Sequence, residues 1–424
     1  MDVLIADVIG DMALVLVASW LMGALARRCG QPAVIGQILA GIALGPSLLG
    51  RLPGHLTTRL FPAAALPSLT VLANVAVVIF MFVVGYELDL RSLRGQRRAA
   101  PFVATSGLLL PLGLGIAAAV VFRSRFDALG SPHSSRAFVL YMGVVLAITA
   151  LPVLAAIVRE RGIAGTRAGI TATAAAGIMD AGAWLLLAVA AAATLHKHGR
   201  PPWLTLLLLC AFAVGMLFLV RPLLRWWLRW RVSALSSQLP IALLLALAGA
   251  WVSASLGLHP VFGGFLAGLT MPCLDGTPDE EVLRPLEQVG GLLLPLFFVV
   301  TGLSMNIGAL GADAFVVLAI VVVVACAGKL GSAYPAARLS GLPPRESAGV
   351  AVLVNTRGLT ELIALNVGLT DGIIGKQLFA VLVLMAVITT MATSPLLAWV
   401  KLPAGRPGQA SVPGGKPPVA IGPQ

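Results

Sequence analysis

YMGVVLAITALPVLAAIV, residues 141–158, is an apolar run long enough to cross a bilayer core, yet it carries a proline at position 152. Pro152 removes a backbone donor and clashes with a preceding carbonyl, so an unbroken helix through this run is disfavoured. Thr149, three residues earlier, has a hydroxyl to spare. A second stretch has the same character. NTRGLTE, residues 355–361, lies in the middle of ESAGVAVLVNTRGLTELIALNVG, residues 346–368. Asn355, Thr356, Gly358 and Thr360 all weaken helix or offer side-chain oxygens. Inside a bilayer, irregular backbone is tolerated only where it is buried in protein or lines a water-filled cavity. Paired interrupted segments in two parts of one chain therefore point to a midplane ion site. Their freed carbonyls can ligate a cation, and their half-helix dipoles call for compensating charge.

The rest of the chain supports a membrane setting. Of 424 residues, 58% are hydrophobic and only 11% charged, against roughly 45–50% and about 25% in ordinary soluble chains. Apolar runs separated by Pro, Gly and charge give thirteen expected spans, from 8–26 to 376–400, and so an all-α polytopic membrane protein. The fifth is expected over 136–158, the sixth over 168–194, the eleventh over 312–334 and the twelfth over 346–369. The 238–274 region is split at Gly257–Pro260 into 238–256 and 258–274. With the N-terminus outside, nineteen of the 29 Lys and Arg fall in cytoplasmic loops and eight outside, as the positive-inside rule requires. The first run does not read as a signal peptide, because Asp2 and Asp7 precede it and Arg27 and Arg28 follow it. Residues 1–401 are expected to form one transmembrane domain in the cell membrane. Residues 402–424, LPAGRPGQASVPGGKPPVAIGPQ, are expected to be a disordered Pro/Gly-rich cytoplasmic tail.

The net charge of +12 sits mainly in loops beside spans, so nucleic acid is not an expected partner; the lipid bilayer is. Cys29, Cys210, Cys273 and Cys326 are scattered, which gives neither a disulfide framework nor a metal set. His196 and His198 share a loop but fall short of a ligand set. No nucleophile–base pair or phosphate loop is legible, so neither an enzyme nor a cofactor is expected. Gly41 with Gly45, and Gly264 with Gly268, have the spacing that lets helices approach closely.

Four charges lie within apolar runs: Asp180, Lys329, Arg357 and Glu361. A charge at a helix centre costs about 2.5–3.5 kcal/mol on insertion scales, so each is a functional candidate. Their formal charges cancel. Arg357 and Glu361, four residues apart on one helix face, read equally well as a structural ion pair. Lys329 reads as a counter-ion. Asp180, in AGIMDAGAW (176–184), has no base adjacent in sequence, and with the hydroxyls and carbonyls of the breaks its carboxylate supplies the hard oxygens an alkali cation needs. Asp11, Glu87 and Asp89 near span ends read as interfacial, with Glu87 able to line an entry path.

These residues resemble the monovalent cation:proton antiporter-2 family, from about residue 8 to 400. The carriers are QPAVIGQILAGIALGPSLLG (31–50), FMFVVGYELDL (80–90), AITALPVLAAIVRERGIAGTRAGITATAAAGIMDAGAWLLLAVA (147–190), GLHPVFGGFLAGLTMP (257–272), NTRGLTELIALNVGL (355–369) and ITTMATSPLL (388–397). The match is best to the plant-exchanger-like branch. The resemblance implies a sodium/proton antiporter fold of about 13 helices in inverted repeats, with two discontinuous helices crossing near an ion-binding aspartate. It also implies a homodimerising scaffold and a moving core. The expected function is exchange of Na+ or K+ for H+ by alternating access. Alternatives are a potassium efflux channel or a non-transporting sensor on the same fold. By motif, Asp180 matches the ion-binding aspartate and is expected to bind the alkali cation and the proton, Thr149 and the backbone around Ala150 match the broken fifth helix, and Asn355 to Glu361 match its counterpart in the other repeat. Electrogenic relatives carry a second acid directly before that aspartate, paired with the lysine. Met179 stands there instead, so exchange is expected to be electroneutral, and Lys329 is expected to pair with Asp180 or Glu361, or to be neutral.

Overall fold

The computed structural model describes residues 2–53, 56–87, 99–130, 136–194, 202–231, 238–273 and 278–402. Residues 403–424 of the expected tail, and the His196/His198 loop, lie outside the described residues. The described chain is helical throughout: α1 (Asp2–Arg28), α2 (Ala33–Leu44), α3 (Leu56–Leu60), α4 (Leu66–Glu87), α5 (Ala99–Val121), α6 (Arg123–Ala128), α7 (Arg136–Ala147), α8 (Leu151–Glu160), α9 (Arg167–Thr194), α10 (Pro202–Val214), α11 (Arg221–Arg231), α12 (Leu239–Ser255), α13 (Pro260–Thr270), α14 (Glu280–Leu303), α15 (Ala312–Leu339), α16 (Pro344–Val354), α17 (Leu359–Thr370) and α18 (Lys376–Val400). A π-helical turn, Gly215–Val220, joins α10 to α11.

Eleven segments among the described residues are long and apolar enough to cross a membrane. The expectation was thirteen. The difference lies in the 238–274 region, where α12 and α13 have 17 and 11 residues. At 1.5 Å per residue these reach about 25 Å and about 16 Å, less than a bilayer core of about 30 Å. A count of thirteen full spans is therefore not established.

The helices pack as two bodies. In one, α4 packs against α13 and α14, α13 against α12, and α2 against α1 and α14. In the other, α5 packs against α7, α9 and α15, while α16 packs against α9, α15 and α18. Contacts between the bodies include α2 with α18, and Trp184 of α9 with Phe262 and Phe265 of α13. The glycines of the expected close-packing motifs are used within the chain. A Cβ on Gly41 would strike the backbone of Phe298 and Val299 in α14, and one on Gly268 the backbone of Phe82 and Tyr86 in α4.

Both expected breaks are present. The first separates α7 from α8 at 148–150, and Pro152 falls in the first turn of α8, where its missing N–H costs nothing. The second separates α16 from α17 at 355–358. Gly358 is needed because a Cβ there would meet the Val153 side chain and Ala150 of the first break.

Candidate functional site

The two breaks touch through the backbone: the Ala150 N–H donates to the Thr356 carbonyl at 3.1 Å. Each break leaves helix-end carbonyls without intrahelical partners, and in a buried setting each needs a donor. The last turn of α7 can be accounted for in full. The Ile148 N–H reaches the Val144 carbonyl at 3.1 Å. Arg357 Nη1 donates to Val145 O at 2.9 Å, and Nη2 to Leu146 O at 2.6 Å. Lys329 Nζ donates to Ala147 O at 2.5 Å. At the end of α16, the Thr149 hydroxyl donates to Val354 O at 3.0 Å. Two buried cations at a helix C-terminus also face the negative end of its dipole.

Lys329 has two further partners that explain its position. Pro111 lies inside α5 and has no N–H, which frees the carbonyl four residues earlier, on Gly107. Lys329 Nζ donates to Gly107 O at 3.1 Å and to Thr149 Oγ1 at 2.6 Å. Met179 Sδ lies 3.8 Å from the same nitrogen. A side chain at Gly107 would collide with that sulfur at 2.9 Å, so the absent Cβ makes the room Met179 occupies. Of the alternatives expected for Lys329 (pairing with Asp180, pairing with Glu361, or neutrality), neither ion pair is present among the described residues. With Met179 in the acid's place, backbone carbonyls and a hydroxyl take the ammonium.

Arg357 and Glu361 do pair, Nη1 to Oε1 at 2.8 Å, with both side chains fully buried. The Arg357 peptide is fixed by α18: its N–H donates to Thr390 Oγ1 at 3.0 Å, and that hydroxyl donates to its carbonyl at 2.6 Å. Asn355 Nδ2 lies 3.7 Å from Cys326 Sγ, and Thr356 and Thr393 share a hydroxyl contact of 3.4 Å.

Asp180 differs from these neighbours. Its side chain is 2% exposed, and neither carboxylate oxygen has a hydrogen-bond partner. It lines a narrow crevice, without room for a water molecule, with Ile148, Ala183, Trp184, Leu187 and Thr360. The buried Thr360 hydroxyl faces the Asp180 carboxylate across the crevice without a close hydrogen bond to it. The structure thus places Ile148 of one break and Thr360 beside the other around Asp180. Thr149, expected at the ion, has its hydroxyl engaged with Lys329 and α16 instead. Asp11, expected at an interface, is 5% exposed, with Oδ2 unpartnered.

Three participants escape a reading by charge. Pro111 acts through a carbonyl four residues away. Thr390 clamps Arg357 from another helix. Trp184, one turn after Asp180, lines the crevice and carries a buried, unpartnered Nε1. The signals were a proline inside an apolar helix and an aromatic with a polar edge on the acid's own face.

The crevice sets one carboxylate and one hydroxyl, hard oxygen groups, in an otherwise apolar lining held out of water, chemistry that suits a proton or an alkali cation. Comparisons with known proteins agree with that setting. Residues 13–399 match the model of the family described as sodium/hydrogen exchanger, transmembrane. Cation/H(+) antiporter 20 of Arabidopsis thaliana is 37% identical over 408 residues, covering 92% of this chain and 48% of the relative. The chain thus spans about half the length of the plant relatives it matches. Na(+)/H(+) antiporter NhaS4 of Synechocystis is 35% identical, covering 92% of this chain and 96% of the relative. The sodium proton antiporter MjNhaP1 of Methanocaldococcus jannaschii shares the fold, with a TM-score of 0.65 at 16% identity, covering 93% of this chain and 97% of that one. On the match across residues 13–399, this multi-pass membrane chain belongs to the transmembrane sodium/hydrogen exchanger family.

Proposed function

We propose that the protein is a secondary antiporter that exchanges a monovalent cation, Na+ or K+, for H+ at Asp180. The observation that carries this reading is a buried carboxylate without a close hydrogen bond, beside a helix break where the carbonyls ending α7 are already capped by Lys329 and Arg357. Burying an acid without hydrogen bonds is costly unless a proton or cation neutralises it. Asp180 holds one or the other, not both. The Thr360 hydroxyl adds a neutral oxygen to the cation-bound state. The body containing α5, α7–α9 and α15–α18 then shifts against the other body and presents the site to the opposite side. The N-terminus lies outside and the C-terminus in the cytoplasm, the orientation favoured by the Lys/Arg distribution.

Lys329 and Arg357 hold the breaks in place without taking part in proton exchange. One titrating acid then gives one proton per cation, so the cycle moves no net charge. It is driven by ΔpH at about 1.36 kcal/mol per unit. Since proton and cation compete, acidification raises the apparent KM for the cation. The test is cation-triggered dequenching of a pH dye in proteoliposomes, with sodium and potassium compared and the membrane potential clamped. The reading expects exchange with a rate independent of potential. A rate that follows the potential, at about 2.3 kcal/mol per net charge per 100 mV, contradicts it.

A further inference from the structure

Trp184 joins the crevice to the boundary between the two bodies. It lies four residues after Asp180 on α9, hence on the same helix face, and is 3% exposed. Its ring meets Phe262 edge-on, with centroids 6.0 Å apart and planes at 82°, and Phe265 at 6.3 Å and 30°. Both phenyl rings come from α13, whose own backbone packs on α4 and α12, while α9 packs on α5, α7 and α16. One side chain of the Asp180 body is thus wedged onto two rings of the other. The same side chain forms a wall of the Asp180 crevice. A buried indole N–H ordinarily finds an acceptor, and this one has none.

We propose that Trp184 gates the Asp180 site on the side of the crevice that faces the Thr194 end of α9. With the ring seated on Phe262 and Phe265, that route is closed. When the Asp180 body shifts, the ring leaves the phenyls, the crevice widens, and the indole N–H donates to an entering water or to the Asp180 carboxylate. An N–H is no cation ligand, so Trp184 acts on access and leaves ligation to oxygen. The role rests on the exchange reading of Asp180, but its test does not require exchange.

Ala183 lines the crevice beside Asp180 and is 2% exposed. In full-length protein with the four native cysteines replaced by serine, Ala183→Cys provides a reporter for a membrane-impermeant thiol reagent added from the Thr194 side. With Trp184 present, labelling is expected to be slow. Trp184→Ala is expected to speed it at least tenfold, and Trp184→Phe, which keeps a ring and loses the N–H, to leave it slow. Unchanged labelling in Trp184→Ala overturns the gate, as does fast labelling in Trp184→Phe. If Trp184→Ala fails to fold, Phe262→Leu with Phe265→Leu removes the opposite half of the seal. It must then speed labelling likewise, and unchanged labelling there also overturns the proposal. Exchange that survives Asp180→Asn defeats the functional reading while leaving the labelling result intact, so the two failures are distinguishable.

Discussion

Asp180 and Glu361 are both acids enclosed beside the same pair of helix breaks, but their surroundings are opposite. Glu361 Oε1 receives Arg357 at 2.8 Å, and the same guanidinium caps two carbonyls of α7. Asp180 receives nothing, although Lys329 is held close by at the same crossing. The pair is architecture: its charges satisfy each other and a helix end. The lone acid has no such base, and the proposed exchange reading assigns its neutralisation to a proton or a cation.

The most severe way to break this contrast is to neutralise the lone acid. Asp180→Asn keeps the shape and removes the charge, and is expected to abolish cation-driven proton flux to the level of empty vesicles. Its thermal melting in detergent should match or exceed that of the wild type, since an unpartnered buried acid contributes no stability. Removing the paired base should do the reverse. Arg357→Met strands Glu361 and the Val145 and Leu146 carbonyls, at a cost of about 3–5 kcal/mol. Low yield and a lowered melting temperature are expected, and Arg357→Met with Glu361→Leu should recover much of the loss.

Lys329 sharpens the comparison, being a charge that looks like a counter-ion and is used as a cap. Lys329→Met leaves the Gly107 and Ala147 carbonyls unpartnered, at about 1–3 kcal/mol each. The variant is expected to melt earlier while the protein that folds still exchanges one proton per cation. A changed stoichiometry would place Lys329 in the transport cycle. The smallest effect belongs to Thr360→Val. Losing one neutral oxygen at the crevice, worth about 1 kcal/mol, should raise the cation KM about fivefold and leave the maximal rate nearly unchanged.

The breaks were legible because their signals are local. Pro152 and the Asn355–Thr360 cluster each state in a few residues that helix cannot continue. The four intramembrane charges were legible for the same reason, since hydropathy exposes them one at a time. Their pairing was not. Lys329 turns away from both acids because Pro111, on another helix, frees a carbonyl within its reach, and because Met179 fills the position an acid would take. That outcome depends on which faces of α5, α9 and α15 meet, which no single segment encodes. The 238–274 region split where expected, but its span count stayed open for a related reason. Apolar composition there satisfies packing against α4 and the neighbouring glycine contacts, so it does not measure span length. Trp184 went unread because an aromatic on an apolar helix is ordinary until its N–H proves to be unpartnered.

The central claim is that one carboxylate holds either a proton or a cation. It is tested most directly by counting the protons released when the purified protein binds sodium or potassium, by calorimetry in buffers of different ionisation enthalpy. The number released per bound cation is expected to rise toward one as the pH is lowered and never to exceed it, with no release in Asp180→Asn. Two protons per cation, or full release from Asp180→Asn, would contradict the account.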